Sequence, residues 1–250
     1  MTTPLIPLDH RVTAMPTHRP VDSTQSRTDK VMQSFNTWSF KREQPDTSER
    51  LKQAVAKAVA RDEPVPFVMY WGKGPRNTAA HPEAQTMDYF ASMLARIRER
   101  YAPGGHLTLI LTDTHARLNG HSEANLAQYF DAIRVMALAR GFSTTRLSKL
   151  VEDCTTAPAT IPQPEPALLR SLTRSAEKWH FGGFAPEAAA RAYFKDNMTE
   201  RAAVEEAYPD AIFATYNGSD LRALFPATMP IFYMYALKRG VAVKPWFMDA

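Results

Sequence analysis

The stretch VPFVMYWGKGPRNTAAH, Val65 to His81, runs from seven apolar-rich residues straight into two glycines, a lysine, an arginine and an asparagine. A short continuous apolar run of that kind marks a strand buried on both faces, as in a parallel sheet, rather than the alternating strand of a half-solvated one. Downstream, HPEAQTMDYFASMLARIRERYAPGG sets Met87, Phe90, Met93, Leu94 and Ile97 at helical spacing. HLTLILTD from His106 is a second strand, entered through the Pro-Gly-Gly turn. SEANLAQYFDAIRVMALARG is another helix, opened by a Ser-x-x-Asn pattern at Ser122 and stopped by Gly141. Strand, helix, strand, helix is the order of a doubly wound α/β sheet, Rossmann-like and mostly parallel.

Three regions are expected. Residues 1–28 mix Pro, Thr, Ser and charge without periodicity and read as a mobile tail. Residues 29–63 form two helical pieces about the break Gln44–Pro45–Asp46, with Asp46, Thr47 or Ser48 capping a helix that carries Leu51, Val55 and Val59. Because Trp38 lies in SFNTWSFKREQP, a segment that looks separable from the core, this region is expected to be a helical lid. Residues 64–250 are then the catalytic domain. Within it APATIPQPEP, from Ala157, is an exposed connector, and ALLRSLTRSAEKWHF and APEAAARAYFKDNMTERAAVEEAYP are helical. DAIFATY and FYMYALKRGVAVKPWFM are expected to finish the sheet, the latter with a hairpin turned at Arg239–Gly240.

The 250 residues are 44% apolar and 22% charged, a globular composition and not a disordered one. No run approaches the roughly 18 apolar residues of a membrane helix and the N-terminus has no hydrophobic signal core, so a cytoplasmic protein without membrane attachment is expected. The one cysteine, Cys154, rules out an internal disulfide framework, and the carboxylates of VEDCTT argue against a reactive thiol. A net charge of +4 without a dense basic block suits a small anionic or zwitterionic ligand and not nucleic acid.

Ligands of open α/β sheets sit beyond the carboxyl ends of the strands. Three stretches fall there: YWGKGPRN, TDTHARLNGH and YNGSD. In the first, Gly72 and Gly74 permit a tight turn, and Lys73 and Arg76 can reach a carboxylate or phosphate. Gly-x-Gly is neither a complete dinucleotide fingerprint nor a Walker loop. In the second, Asp113 either accepts ribose hydroxyls or caps a helix, and His115 and His121 lack a third ligand at metal spacing, so no metal is expected. Trp38, Tyr70, Trp71, Trp179, Tyr216 and Trp246 fall at element ends or in the N-terminal segment, where ring faces can cage a cation or simply pack.

VPFVMYWGKGPRN, followed by RYAPGGHLTLILTDTHARLNGHSEANLAQYFDAIRVMA, resembles the isonitrile synthase family of pyoverdine-cluster and dityrosine-type enzymes. YPDAIFATYNGS and KPWFM resemble its C-terminal landmarks, and the likeness covers about Pro64 to Arg140 and parts of the last fifty residues. The family's Lys-then-Asn loop falls on Lys73 and Asn77. Its Asp-Gly-Arg becomes Asp113-Thr114-His115, which puts its sugar-phosphate chemistry with ribulose 5-phosphate in doubt. The short chain with SFNTWSFKREQP in front is more similar to bacterial azetidine-2-carboxylate synthases of related fold.

That second resemblance implies cyclisation of S-adenosylmethionine, as substrate, with release of methylthioadenosine and delivery of the ring amino acid to a peptide synthetase. The roles it implies are a carboxylate clamp at Lys73 or Arg76, a ribose contact at Asp113, an amine site at Tyr216, Asn217 and Ser219, and a sulfonium wall at Trp38, Tyr70 and Trp71. His115 and Asn77 complete the substrate-binding set. Rival readings are an isonitrile synthase proper, a small-molecule methyltransferase, and a binding protein without turnover.

Overall fold

The computed structural model describes residues 23–45, 48–73, 79, 81–156, 160–179, 185–235, 237–238 and 241–242. Its centre is β1 (Val65–Trp71), hydrogen-bonded on one edge to β2 (Gly105–Leu111) and on the other to β4 (Ile212–Thr215). With β3 (Ser143–Arg146) and β5 (Ile231–Tyr233) outside them, five strands run parallel in the order β3-β2-β1-β4-β5. A proline in a central strand needs an explanation. Val65 donates its N–H to Gly104 on the β2 side, so Pro66 turns its missing N–H toward β4, whose pairing begins only at Phe67.

The strand period of two sorts β1 between two cores. Phe67, Met69 and Trp71 face α1 (Thr24–Phe35), α2 (Ser48–Arg61), α3 (His81–Arg98) and α5 (Glu123–Leu138). Val68 and Tyr70 face the side covered by α7 (Pro166–Trp179) and α8 (Pro186–Ala207). The expected helix faces are buried as spaced: Leu51, Val55 and Val59 on α2; Met87, Phe90, Met93 and Ile97 on α3. Ser122 caps α5 by accepting from the Asn125 N–H at 3.3 Å, as the Ser-x-x-Asn pattern required. Gly105 lets α3 lie close on β2, since a Cβ there would stand 2.9 Å from Leu94 Cδ2.

Three expectations are corrected. Residues 24–28, read as tail, are the first turns of α1, capped by Ser23, with Thr28 buried. The segment 29–63, expected as a helical lid, is helical in α1 and α2 and packs on the sheet. Phe35 is fully buried and meets Phe67 and Phe232 edge-on at 5.3 and 5.2 Å, so α1 and α2 belong to the layer that covers the sheet. TDTHARLNGH, read as a loop, contains the short helix α4 (Asp113–Leu118), and α6 (Leu147–Asp153) follows β3. The hairpin strands β6 (Leu237–Lys238) and β7 (Val241–Ala242) pair antiparallel with each other and not with the main sheet, while their turn at Arg239–Gly240 lies outside the described residues.

Because Phe35 fills the space between α1 and the sheet, Phe35→Ala should destabilise the whole domain by about 3–5 kcal/mol in a single cooperative urea transition. A loss below about 1 kcal/mol would return α1 to the role of a movable flap.

Candidate active site

The strand order reverses between β1 and β4, and the crevice above their carboxyl ends is the binding position of a doubly wound sheet. Of the expected residues, Gly72, Lys73, Asp113, His115, Tyr216, Asn217 and Ser219 follow strands at that edge, and Tyr70 and Trp71 end β1. Gly74, Arg76, Asn77 and Trp246 lie outside the described residues.

On the α3 and α5 side, Lys73 is nearly buried; its Nζ donates to His121 Nδ1 at 3.3 Å and lies 5.6 Å from the centre of the Tyr129 ring. Tyr129 in turn donates to Glu83 Oε1 at 3.3 Å. Burial holds the Lys73 ammonium below its ordinary value, and burial together with the Lys73 charge does the same to the His121 imidazole. An arriving carboxylate would stabilise the Lys73 ammonium. The sequence singled out Lys73 for that role, whereas His121 entered only as a metal candidate. Among the described residues no group of three His, Cys, Asp or Glu side chains is placed to hold a metal ion.

Asp113 is buried. Its Oδ1 accepts from the Ser148 N–H at 3.0 Å and its Oδ2 from Ser148 Oγ at 2.6 Å, with Arg117 Nη1 also 3.0 Å from Oδ2. Burial alone would raise this carboxyl, but the Ser148 bonds and the Arg117 charge outweigh it and hold it below the usual range. Of the two readings left open, the structural one applies: Asp113 anchors the start of α6.

The expected amine site does not assemble. The Tyr216 ring lies 5.7 Å from Phe90, and its buried hydroxyl has no hydrogen-bond partner among the described residues. Burial, then neighbouring Tyr89, pushes that hydroxyl well above its ordinary value. The Asn217 residue is exposed. Ser219 gives both its N–H (3.1 Å) and its hydroxyl (2.9 Å) to Glu43. Residues 36–45 are thereby fixed across the end of β5, where Lys41 bridges Met234 and the Arg42 N–H meets Tyr233 O at 2.8 Å. Trp38 is 59% exposed under the Lys41 ammonium, and Trp71 is buried in the core, so neither forms a cation wall. Burial and Glu206, 3.3 Å from Sγ, raise the Cys154 thiol.

On the α8 side stands a cluster that sequence reasoning reached only in part. His115 Nε2 is bonded to the buried Glu200 carboxylate, and the His115 ring lies 6.0 Å from Tyr70 and 4.8 Å from Tyr193, both edge-on. Glu200 Oε1, Asn197 Oδ1 and the Tyr70 hydroxyl are buried without hydrogen-bond partners among the described residues. Each such orphan costs about 1–3 kcal/mol, a penalty that a ligand with donors would remove. Burial first, then the Glu200 charge, raises the Tyr70 and Tyr193 hydroxyls. Asn197 and Glu200 are polar residues on the buried face of α8, beside Phe194 and Met198, a face that the sequence alone does not mark.

These features define a Rossmann-like α/β fold with a polar, partly acidic site at its switch point. No protein-family model and no curated protein matches the chain. Solved structures do match, among them PvcA from Pseudomonas aeruginosa, at 17% identity, over 83% of each chain and with a TM-score of 0.61. That likeness shows a shared fold. No helix among the described residues is long and apolar enough to cross a membrane.

The bonds to Asp113 set a pH dependence. A carboxyl held low contributes stability that is complete above its unfolded value near 3.9 and is lost as pH falls through its lower folded value. Asp113→Asn should therefore be less stable than the parent by about 1–3 kcal/mol at pH 7, with the gap narrowing toward pH 3 in urea titrations. A gap that widens on acidification would contradict this role.

Proposed function

We propose that the protein is an enzyme that cyclises S-adenosylmethionine to azetidine-2-carboxylate and methylthioadenosine, within specialised metabolism. The observation that carries the reading is the buried Glu200 carboxylate among the rings of Tyr70, Tyr193 and His115 beside the switch point. A carboxylate and aromatic faces attract a sulfonium and repel a phosphate dianion. Where the resembled isonitrile synthases carry an arginine after Asp-Gly, this chain carries His115, committed to Glu200. Lys73, across the crevice, is the partner for the substrate carboxylate. Because Ser148 and Arg117 engage the Asp113 carboxylate, the proposal places no ribose contact on it.

Ring closure requires the α-amine, once neutral, to attack Cγ as the thioether leaves. The nearby sulfonium eases that deprotonation, since like charges favour loss of a proton. Holding amine and Cγ in contact is worth several kcal/mol, which leaves the chain mainly a positioning task. Tyr70 narrows the sulfonium wall to one ring at the end of β1. The product, a ring amino acid, suits a peptide synthetase as its consumer.

The likeness to PvcA, of the isonitrile synthase family, supports a second reading in which an amino acid and ribulose 5-phosphate are the substrates. Mass spectrometry of the protein incubated with S-adenosylmethionine alone separates the two. Methylthioadenosine with a four-membered ring amino acid is the expected result. Intact S-adenosylmethionine, together with an isonitrile from an amino acid and ribulose 5-phosphate, would replace the proposal by the second reading. S-adenosylhomocysteine formed with an acceptor would mark a methyltransferase.

A further inference from the structure

The cyclase reading leaves the first proton transfer without an acceptor. Tyr216, Asn217 and Ser219 do not supply one. The Tyr216 hydroxyl is held in its protonated form by burial, the Asn217 amide is no base, and the Ser219 hydroxyl is a donor to Glu43. Lys73 faces His121 and the substrate carboxylate.

We propose, resting on that reading, that His115 is the base that removes a proton from the substrate's α-ammonium group, and that Glu200 is the positioning residue that holds its imidazole in the tautomer able to do so. The contact between Glu200 Oε2 and His115 Nε2 carries the inference. A carboxylate only accepts, so the shared proton lies on Nε2 and the lone pair of the neutral ring lies on Nδ1. No described residue hydrogen-bonds to Nδ1. The edges of Tyr70 and Tyr193 fix the ring plane, so the lone pair keeps one direction.

The groups packed around His115 are Tyr70 from β1 and Tyr193, Asp196 and Glu200 from α8. Burial and the Glu200 charge keep the two tyrosines protonated, and burial and Glu200 raise Asp196. Of this set the imidazole is the group that offers a nitrogen lone pair, as a general base requires. Glu200 Oε1 and Asn197 Oδ1, unpartnered among the described residues, add two buried acceptors one helical turn apart, and an ammonium arrives with three donors.

The step balances as follows. His115 Nδ1 takes one proton from the ammonium, the freed nitrogen pair forms the N–Cγ bond, and the Cγ–S pair leaves on sulfur as neutral methylthioadenosine. The ring nitrogen retains two hydrogens as an azetidinium, and His115 returns its proton to water.

The test uses the full chain with S-adenosylmethionine, following methylthioadenosine release and measuring Kd by calorimetry. His115→Gln should lower kcat at least 100-fold with Kd within threefold of the parent. His115→Ala should recover at least tenfold of its lost rate with added imidazole, a rescue that a purely structural role would not show. Glu200→Gln should lose about tenfold in kcat and alter the pH profile of kcat, an effect that a merely structural role would not give. If the parent cyclises S-adenosylmethionine while both His115 variants stay within twofold of it, the base assignment is overturned and the cyclase reading survives. If His115→Gln proves unfolded by circular dichroism, the imidazole rescue and the Glu200→Gln profile decide, and absence of both effects overturns the assignment. Should the parent leave S-adenosylmethionine intact, both fall.

Discussion

β1 is hydrogen-bonded on both edges by strands that run parallel to it, to β2 along its full length and to β4 over Phe67, Val68 and Met69. A strand in that position has no solvent face, which is why VPFVMYW is apolar throughout and not alternating. Parallel neighbours also bring their carboxyl ends to one edge. Lys73, Asp113 and Tyr216, distant in sequence, follow β1, β2 and β4 at that edge for no reason other than register. The chain leaves β1 toward β2 and returns to its other side as β4, and the gap between those two departures is where a ligand can enter.

The same strand divides the site chemically. Tyr70 and Trp71 are neighbours in sequence and point to opposite faces, so the crevice has two dissimilar flanks. One flank offers a half-desolvated lysine and histidine. The other offers a buried carboxylate, an imidazole and tyrosine rings. In the proposed cyclase the substrate's carboxylate would face the lysine flank and its cations the acidic one. Burial makes both flanks stronger, because the effective dielectric there is lower than in water.

The sheet core was legible from sequence because burial on both faces leaves a compositional mark, and helices α2, α3 and α5 because their apolar spacing and the Ser122 cap are local properties. β3 was not. Ser143–Arg146 is a four-residue edge strand of half-buried polar side chains, and its pairing with β2 is the sole reason it is extended. The choice left open at Asp113, ribose contact or helix cap, was not legible, since its partner Ser148 lies beyond a whole helix and a strand, a distance that no periodicity spans. The N-terminal segment was read as separable because SFNTWSFKREQP is polar, yet Phe35 at its edge is a core residue and Glu43 ties its far end to Ser219. Glu200 was overlooked for the opposite reason: within a helix of ordinary composition, one buried acid shows only when its face is known.

The central claim is that the ligand enters above the carboxyl ends of β1 and β4 and touches both flanks. Amide hydrogen exchange with and without S-adenosylmethionine tests it most directly. Slowed exchange at residues 71–73, 112–115 and 216–219, together with the turn of α8 around Asn197 and Glu200, is the predicted pattern. Protection at the opposite edge, near Gly104 and Asp210, or no protection at saturating ligand, would contradict the account.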